Sequence, residues 1–89
     1  MPKMINKVTM VIRRAKMSGE ARSWPYDAKY ANEQLSLFHY NTLIFQGRKR
    51  RLLAIGGYSK SDQDAIYTAM REMDIEGNVI RARGALRVI

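Results

Sequence analysis

Apolar and polar residues alternate over residues 7–14, with Val8, Met10 and Ile12 on one side and Thr9, Val11 and Arg13 on the other. Alternation among β-branched side chains predicts a strand, closed by the turn pair Ser18-Gly19. Residues 20–33 show no period. Trp24-Pro25 interrupts any regular element there, because the residue before a proline is pushed out of the helical region. That stretch is expected to be a long loop able to carry function. Leu35, Leu37 and their neighbours to Tyr40 predict a second strand, which Leu43 to Gln46 either continue or follow after a bend. Gly47 to Arg50 form a hairpin connection, residues 51–55 the return strand, and Gly56-Gly57 its end.

Only one segment has a helical period. Ser61 followed by Asp64 is a capping-box-like start, and Asp62 and Asp64 complement the positive end of a helix dipole. Ile66, Ala69, Met70 and Met73 repeat at the spacing of a buried stripe, and Glu76-Gly77 stops the helix. The methionines read as core filler. Residues 78–89 predict a hairpin turning at Arg83-Gly84-Ala85. In that register Ile80 faces Val88, Ala82 faces Leu86, Val79 faces Ile89 and Arg81 faces Arg87. The expected fold is α+β, a mostly antiparallel sheet with one helix packed on one face, in the order β-β-β-α-β-β.

The 89 residues, 1–89, suit a single domain. Cysteine is absent, which excludes disulfides, thiolate nucleophiles and Cys-based metal sites. Residues 1–7 lack the apolar run of a signal peptide, and nowhere do ~18 apolar residues run together as a membrane helix requires. A cytoplasmic protein without membrane contact is expected, and a homodimer is compatible with everything in the sequence.

Charge sharpens the picture. Sixteen Lys and Arg against eight Asp and Glu leave +8, a field that draws polyanions. Residues 1–51 hold eleven basic and three acidic residues, whereas residues 60–76 hold two basic and five acidic. Gly47-Arg48-Lys49-Arg50-Arg51 sets four consecutive cations on a turn, where they reach phosphates easily; a merely solvated basic turn is the plainer alternative. In the register above Arg81 and Arg87 stand opposed, with Arg83 at the tip. Like charges directly opposite destabilise a hairpin, so either an anion sits between the guanidinium forks or long arginine stems cover apolar surface. Arg13 joins these cations on its strand. Trp24 and Tyr26 lie beside Arg22 and Lys29; they either stack on bases or, as a Trp next to Pro more often does, pin the loop to the body. The expected anion- or nucleic-acid-binding set is Arg13, Arg48, Lys49, Arg50, Arg51, Arg81, Arg83 and Arg87.

Catalysis is not indicated. His39 is the only histidine, no nucleophile-elbow motif surrounds Ser36, Ser59 or Ser61, and the acidic residues show no EF-hand or two-metal spacing. Gly56-Gly57-Tyr58-Ser59 lacks the Gly-Lys-Ser/Thr of a phosphate-binding loop. Neither metal nor cofactor is expected.

Tyr40-Asn41-Thr42-Leu43-Ile44, a basic turn, then Tyr58-Ser59-Lys60-Ser61-Asp62 leading into a helix with Ile66 resembles a pattern in small uncharacterised domains carried by phages and plasmids. The resemblance covers residues 40–67 and implies a mobile-element origin, where compact basic proteins bind DNA or block host defence machines; it supplies no functional residues. The leading expectation is a non-enzymatic protein that binds nucleic acid, or a nucleic-acid-handling complex, through a cationic face. The alternatives are a phage-encoded inhibitor of a host nuclease complex, of the anti-CRISPR kind, and a small ribonuclease toxin using His39.

Overall fold

The computed structural model describes residues 6–89; residues 1–5, within the stretch inspected for a leader, lie outside it. The chain runs α1 (Lys7–Ser18), β1 (Glu20–Ser23), β2 (Tyr26–Ala31), β3 (Gln34–His39), β4 (Thr42–Arg48), β5 (Arg51–Ile55), α2 (Lys60–Glu72), β6 (Val79–Ala82) and β7 (Ala85–Val88). The class is α+β and the main sheet is an antiparallel five-stranded meander, β1-β2-β3-β4-β5, with β6 and β7 forming a separate ribbon. The expected single helix and β-β-β-α-β-β order do not hold: the described residues form two helices, and the first precedes every described strand.

The segment expected as the first strand is α1. Val8, Val11, Ile12 and Ala15 are buried while Met10 is 41% exposed, which is the 3/4 spacing of a helix face and not alternation. Asn6 caps the start by accepting the Thr9 N–H at 2.8 Å, and the Gly19 N–H, at φ +99°, bonds the Ala15 carbonyl at the end. The helix period becomes legible only when the window extends past residue 14 to Ala15. Burial against the sheet then overrides the β preference of Val, Ile and Thr.

Residues 20–33 are a hairpin, not a loop. Ala21 pairs with Ala28 and Ser23 with Tyr26, around a turn that holds Trp24 and the cis-linked Pro25. Small Ala21 and Ala28 let α1 approach closely, and their weak apolar signal hides the strands from periodicity. Bulges interrupt the β3–β4 and β4–β5 pairings. The first adds Ile44 between paired Leu43 and Phe45, so that Ile44 and Phe45 are both buried although adjacent.

Helix α2 starts two residues before the expected frame. Ser59 and Asp62 form the capping box, because Asp62 is buried whereas Asp64 faces solvent and pairs with Lys60 at 2.9 Å. The helix stops at Glu72 rather than Glu76, where Met73 caps it and Asp74 turns the chain at φ +57°. The β6–β7 ribbon has a two-residue turn, Arg83-Gly84, with both φ positive at 53° and 76°. That is the turn geometry that follows strand twist, and it shifts the register by one: Ile80 pairs with Arg87 and Arg81 with Leu86. Both helices and β7 contribute to one core built around Ile12, Leu35, Leu37, Phe45, Ile66 and Met70. No described helix is long and apolar enough to cross a membrane.

Candidate nucleic-acid interface

The helices cover one face of the meander. Tyr26, Ala28 and Tyr30 of β2 and Leu35 and Leu37 of β3 turn inward to that core. Strand alternation sends the intervening residues to the opposite face, and none of Arg22, Lys29, Gln34, Ser36, Phe38, Leu43, Gln46, Arg48 and Arg51 is buried. This second face is open to solvent.

Its polarity is graded. At the end formed by the β4–β5 turn, Arg48 and Arg51 are directly opposed across the two strands, next to Lys49, Arg50 and a half-exposed Leu53; together these line an open groove of about 440 Å³. Arg48 Nε donates to the Asn32 carbonyl at 3.3 Å, and Lys49 Nζ lies 3.7 Å from Glu33 in an exposed pair. Among the described residues, no carboxylate comes within 4.0 Å of Arg48, Arg50 or Arg51. Across the middle, Gln46 Nε2 donates to Ser36 Oγ at 3.1 Å. Toward the other end, Phe38 and Leu43 pair across β3 and β4, and Arg22 bridges Asp27 at 3.3 Å. Arg22, Asp27, Lys29, Phe38 and Asn41 line a second groove of about 480 Å³.

The expected set does not converge on this face as a whole. Arg13 lies on α1, where its guanidinium makes two bonds to Glu72, at 3.0 and 3.2 Å, and that partner raises its pKa; it belongs to the helical side. Arg81 and Arg87 are not opposed. Facing Leu86 and Ile80 respectively, they point to opposite faces of the ribbon, so the anion clamp between them disappears. Arg81 Nη1 reaches the Tyr58 carbonyl at 3.4 Å, beside the start of α2, whereas Arg50 lines a groove with Arg71, Asp74 and Gly77 at its end. The 13 residues of α2 at about 1.5 Å per residue set the two arginine groups roughly 20 Å apart. Arg83 occupies the ribbon tip, with open space around Gly84.

Of the two candidate stacking residues, Tyr26 turns inward and stacks on His39, centroids 4.5 Å apart and planes 10° apart. Burial, then the negative Asp62, raises its hydroxyl pKa. Trp24 is 49% exposed, with Arg22 5.0 Å over its ring and Tyr40 edge-on at 5.7 Å. His39 Nδ1 donates to Asp62 Oδ1 at 2.6 Å, since only an N–H can face an ionised carboxylate oxygen. Asp62 Oδ2 accepts the Tyr58 and Ser59 N–H groups. The histidine thus ties β3 to the start of α2. Phe38, Gln34 and Gln46 escape the sequence reading, and Arg22 and Lys29 enter it only as neighbours of Trp24 and Tyr26, although the alternation of Arg22 with Ala21 and of Lys29 with Ala28 marks their face once the β1–β2 hairpin is recognised.

No cluster of metal-ligating side chains occurs among the described residues. Comparison with protein-family models, with curated proteins and with solved structures finds no match to this chain.

Proposed function

We propose that this protein binds nucleic acid without catalysis, through the open face of the meander and its β4–β5 turn. One observation carries the reading: Arg48 and Arg51 are directly opposed and no described carboxylate neutralises them. Opposed like charges are unfavourable in the free protein, and a bound phosphate between or beside them reverses the sign. Arg22 and Lys29 add further cations along the strands, where Asp27 bridges the first and Glu20 pairs across from the second, while Gln34, Ser36 and Gln46 offer hydrogen bonds to sugar or base. Arg81, Arg83 and Arg87 form a second, separate cationic element. His39, with its Nδ1 committed to Asp62 and its ring stacked on Tyr26, supports a structural role over that of a ribonuclease base.

The test is direct binding to labelled DNA and RNA at two salt concentrations. Six phosphate contacts, one for each of Arg22, Lys29, Arg48, Lys49, Arg50 and Arg51, predict an affinity loss of about 10³-fold between roughly 50 and 200 mM salt. The double variant Arg48→Ala/Arg51→Ala should flatten the log–log salt slope by about 2. Absence of binding at the lower salt, or a variant with the parent's slope, rejects the reading and moves weight to a protein partner, as the inhibitor alternative requires.

A further inference from the structure

The end of the main sheet away from the β4–β5 turn carries an exposed aromatic group that a purely electrostatic binder does not need. Trp24 in the β1–β2 turn, Tyr40 in the β3–β4 turn and Tyr58 in the β5–α2 loop are 49, 61 and 71% exposed. The first two touch edge to face. The Asp62 carboxylate ties the Tyr58 backbone to His39, the neighbour of Tyr40. Cations surround the group: Arg22 over the Trp24 ring, Lys7 Nζ on the Trp24 carbonyl at 3.1 Å and Arg81 on the Tyr58 carbonyl.

Tyr40 is the more telling residue. Its φ is +52°, followed by Asn41 at +65°. The first place of such a turn suits Asn, Asp or Gly, and a bulky aromatic there is an outlier. Its ring rests 4.6 Å from that of His39 and edge-on to Trp24, yet most of it stays in solvent, and turn geometry does not favour an aromatic there. Conformational outliers of this kind cluster at ligand-contacting sites.

We infer that the ligand of the open face is a single-stranded nucleic acid, its phosphates running from the Arg48/Arg51 end and its unpaired bases stacking on Trp24 and Tyr40. This inference rests on the cationic-face reading above and adds the state of the strand. In a duplex the base faces are stacked away and the aromatic end has nothing to meet; in a single strand every base has a free π-face. Phe38, on the same face between the two ends, lies along the route. From Gln34, which pairs with Arg48, to Tyr40 is six residues along β3, roughly 20 Å at about 3.3 Å each. That span matches about six nucleotides at a stacked rise of roughly 3.4 Å per strand.

Trp24 is the only tryptophan, so intrinsic emission reports on this site alone. Single-stranded DNA and RNA oligomers of roughly ten nucleotides, and a duplex of equal length, would be titrated into the full chain at fixed salt. Either single strand should quench Trp24 emission and bind tighter than the duplex, and the ratio of the two arms identifies the preferred sugar. Trp24→Ala should weaken single-strand binding by roughly 5- to 100-fold, as loss of one stacked base does, with Trp24→Phe retaining most of it. Tyr40→Asn, the turn-favoured residue, should weaken single-strand binding at temperatures where the variant is still fully folded, which separates a ligand contact from the packing of Tyr40 on His39. Equal binding of strand and duplex with unchanged emission and an inert Trp24→Ala overturns this inference and leaves the cationic reading standing. Absence of any nucleic-acid binding at roughly 50 mM salt overturns both.

Discussion

Asp62 joins three elements through one carboxylate. Oδ1 accepts from His39 of β3, Oδ2 accepts the Tyr58 and Ser59 N–H groups at 3.1 and 3.2 Å, and the Asp62 N–H returns a bond to Ser59 Oγ at the start of α2. Glycine is required beside it at position 57, where φ is +86° and an added Cβ would stand 2.6 Å from Asp62 Oδ2. Burial alone would raise the carboxyl pKa, but the bonds from His39, Tyr58 and Ser59 outweigh it and hold the value below 3.8. A carboxylate lowered in the folded state contributes stability above its unfolded pKa, and that contribution is lost as pH falls through the folded value. Asp62→Asn is therefore expected to lose about 1.5–3 kcal/mol at pH 7, and the gap to the parent should narrow below roughly pH 4. Denaturant unfolding at pH 7 and pH 3 checks this; an equal gap at both values would show that the charge of Asp62 is irrelevant.

At the scale of elements, what could be read from sequence depended on how strongly each element's inward residues differ from their neighbours. The extended chain of β3, β4 and β5 is legible because Leu35, Leu37, Phe45 and Leu52 are large and apolar, and α2 because its stripe is long, but the Tyr40-Asn41 turn that divides β3 from β4 is not, because a tyrosine gives no turn signal. Helix α1 was misread because Val8, Met10 and Ile12 satisfy a period of two over the first turns, and only Val11 with Ala15 breaks the tie. β1 and β2 were missed because Ala21 and Ala28 give little apolar contrast. In the β6–β7 ribbon the period was right and the phase wrong: a three-residue and a two-residue turn both use Gly84, and the choice moves every pair by one. The observed turn places Arg83 at φ +53°, a region where Asn is at ease and Arg is strained. Arg83→Asn should then stabilise the fold by about 0.5–1 kcal/mol, seen as a higher denaturation midpoint. In the three-residue register the first position is right-handed and the same change is neutral, so an unmoved midpoint argues for that register instead.

Across the whole molecule cations occur on both sides of the main sheet. The contiguous basic turn of residues 48–51 is visible in sequence because its members are neighbours; the face that Arg22 and Lys29 share with it is not, because only pairing of β1, β2 and β3 brings them there. Arg13 went the other way, carried by α1 to Glu72. Both sides nevertheless stay positive, since α1 holds Lys7, Arg13, Arg14 and Lys16 and no acid while α2 holds two basic and three acidic residues; the β4–β5 turn is set apart by Arg48 and Arg51 standing directly opposed with no described carboxylate beside them. Apart from the buried His39–Asp62 contact, each described ion pair has an exposed cation, and in Lys49–Glu33 and Lys60–Asp64 both partners are exposed; exposed pairs contribute about 0–1 kcal/mol each. Against them stands the mutual repulsion of a chain carrying +8, which disfavours the compact state and is screened as the Debye length shortens from ~30 Å at 0.01 M to ~8 Å at 0.15 M salt. If repulsion is the larger effect, added salt stabilises the free protein; a gain of about 0.5–1 kcal/mol corresponds to a melting temperature higher by roughly 2–8 °C in a domain of this size. The same salt weakens phosphate contacts by displacing them with counterions. Thermal melts of the free protein and binding titrations across one salt series should hence move in opposite directions. A melting temperature that falls with salt would mean that local ion pairs outweigh the net field, and that the positive face is less uncompensated in the free protein than Arg48 and Arg51 imply.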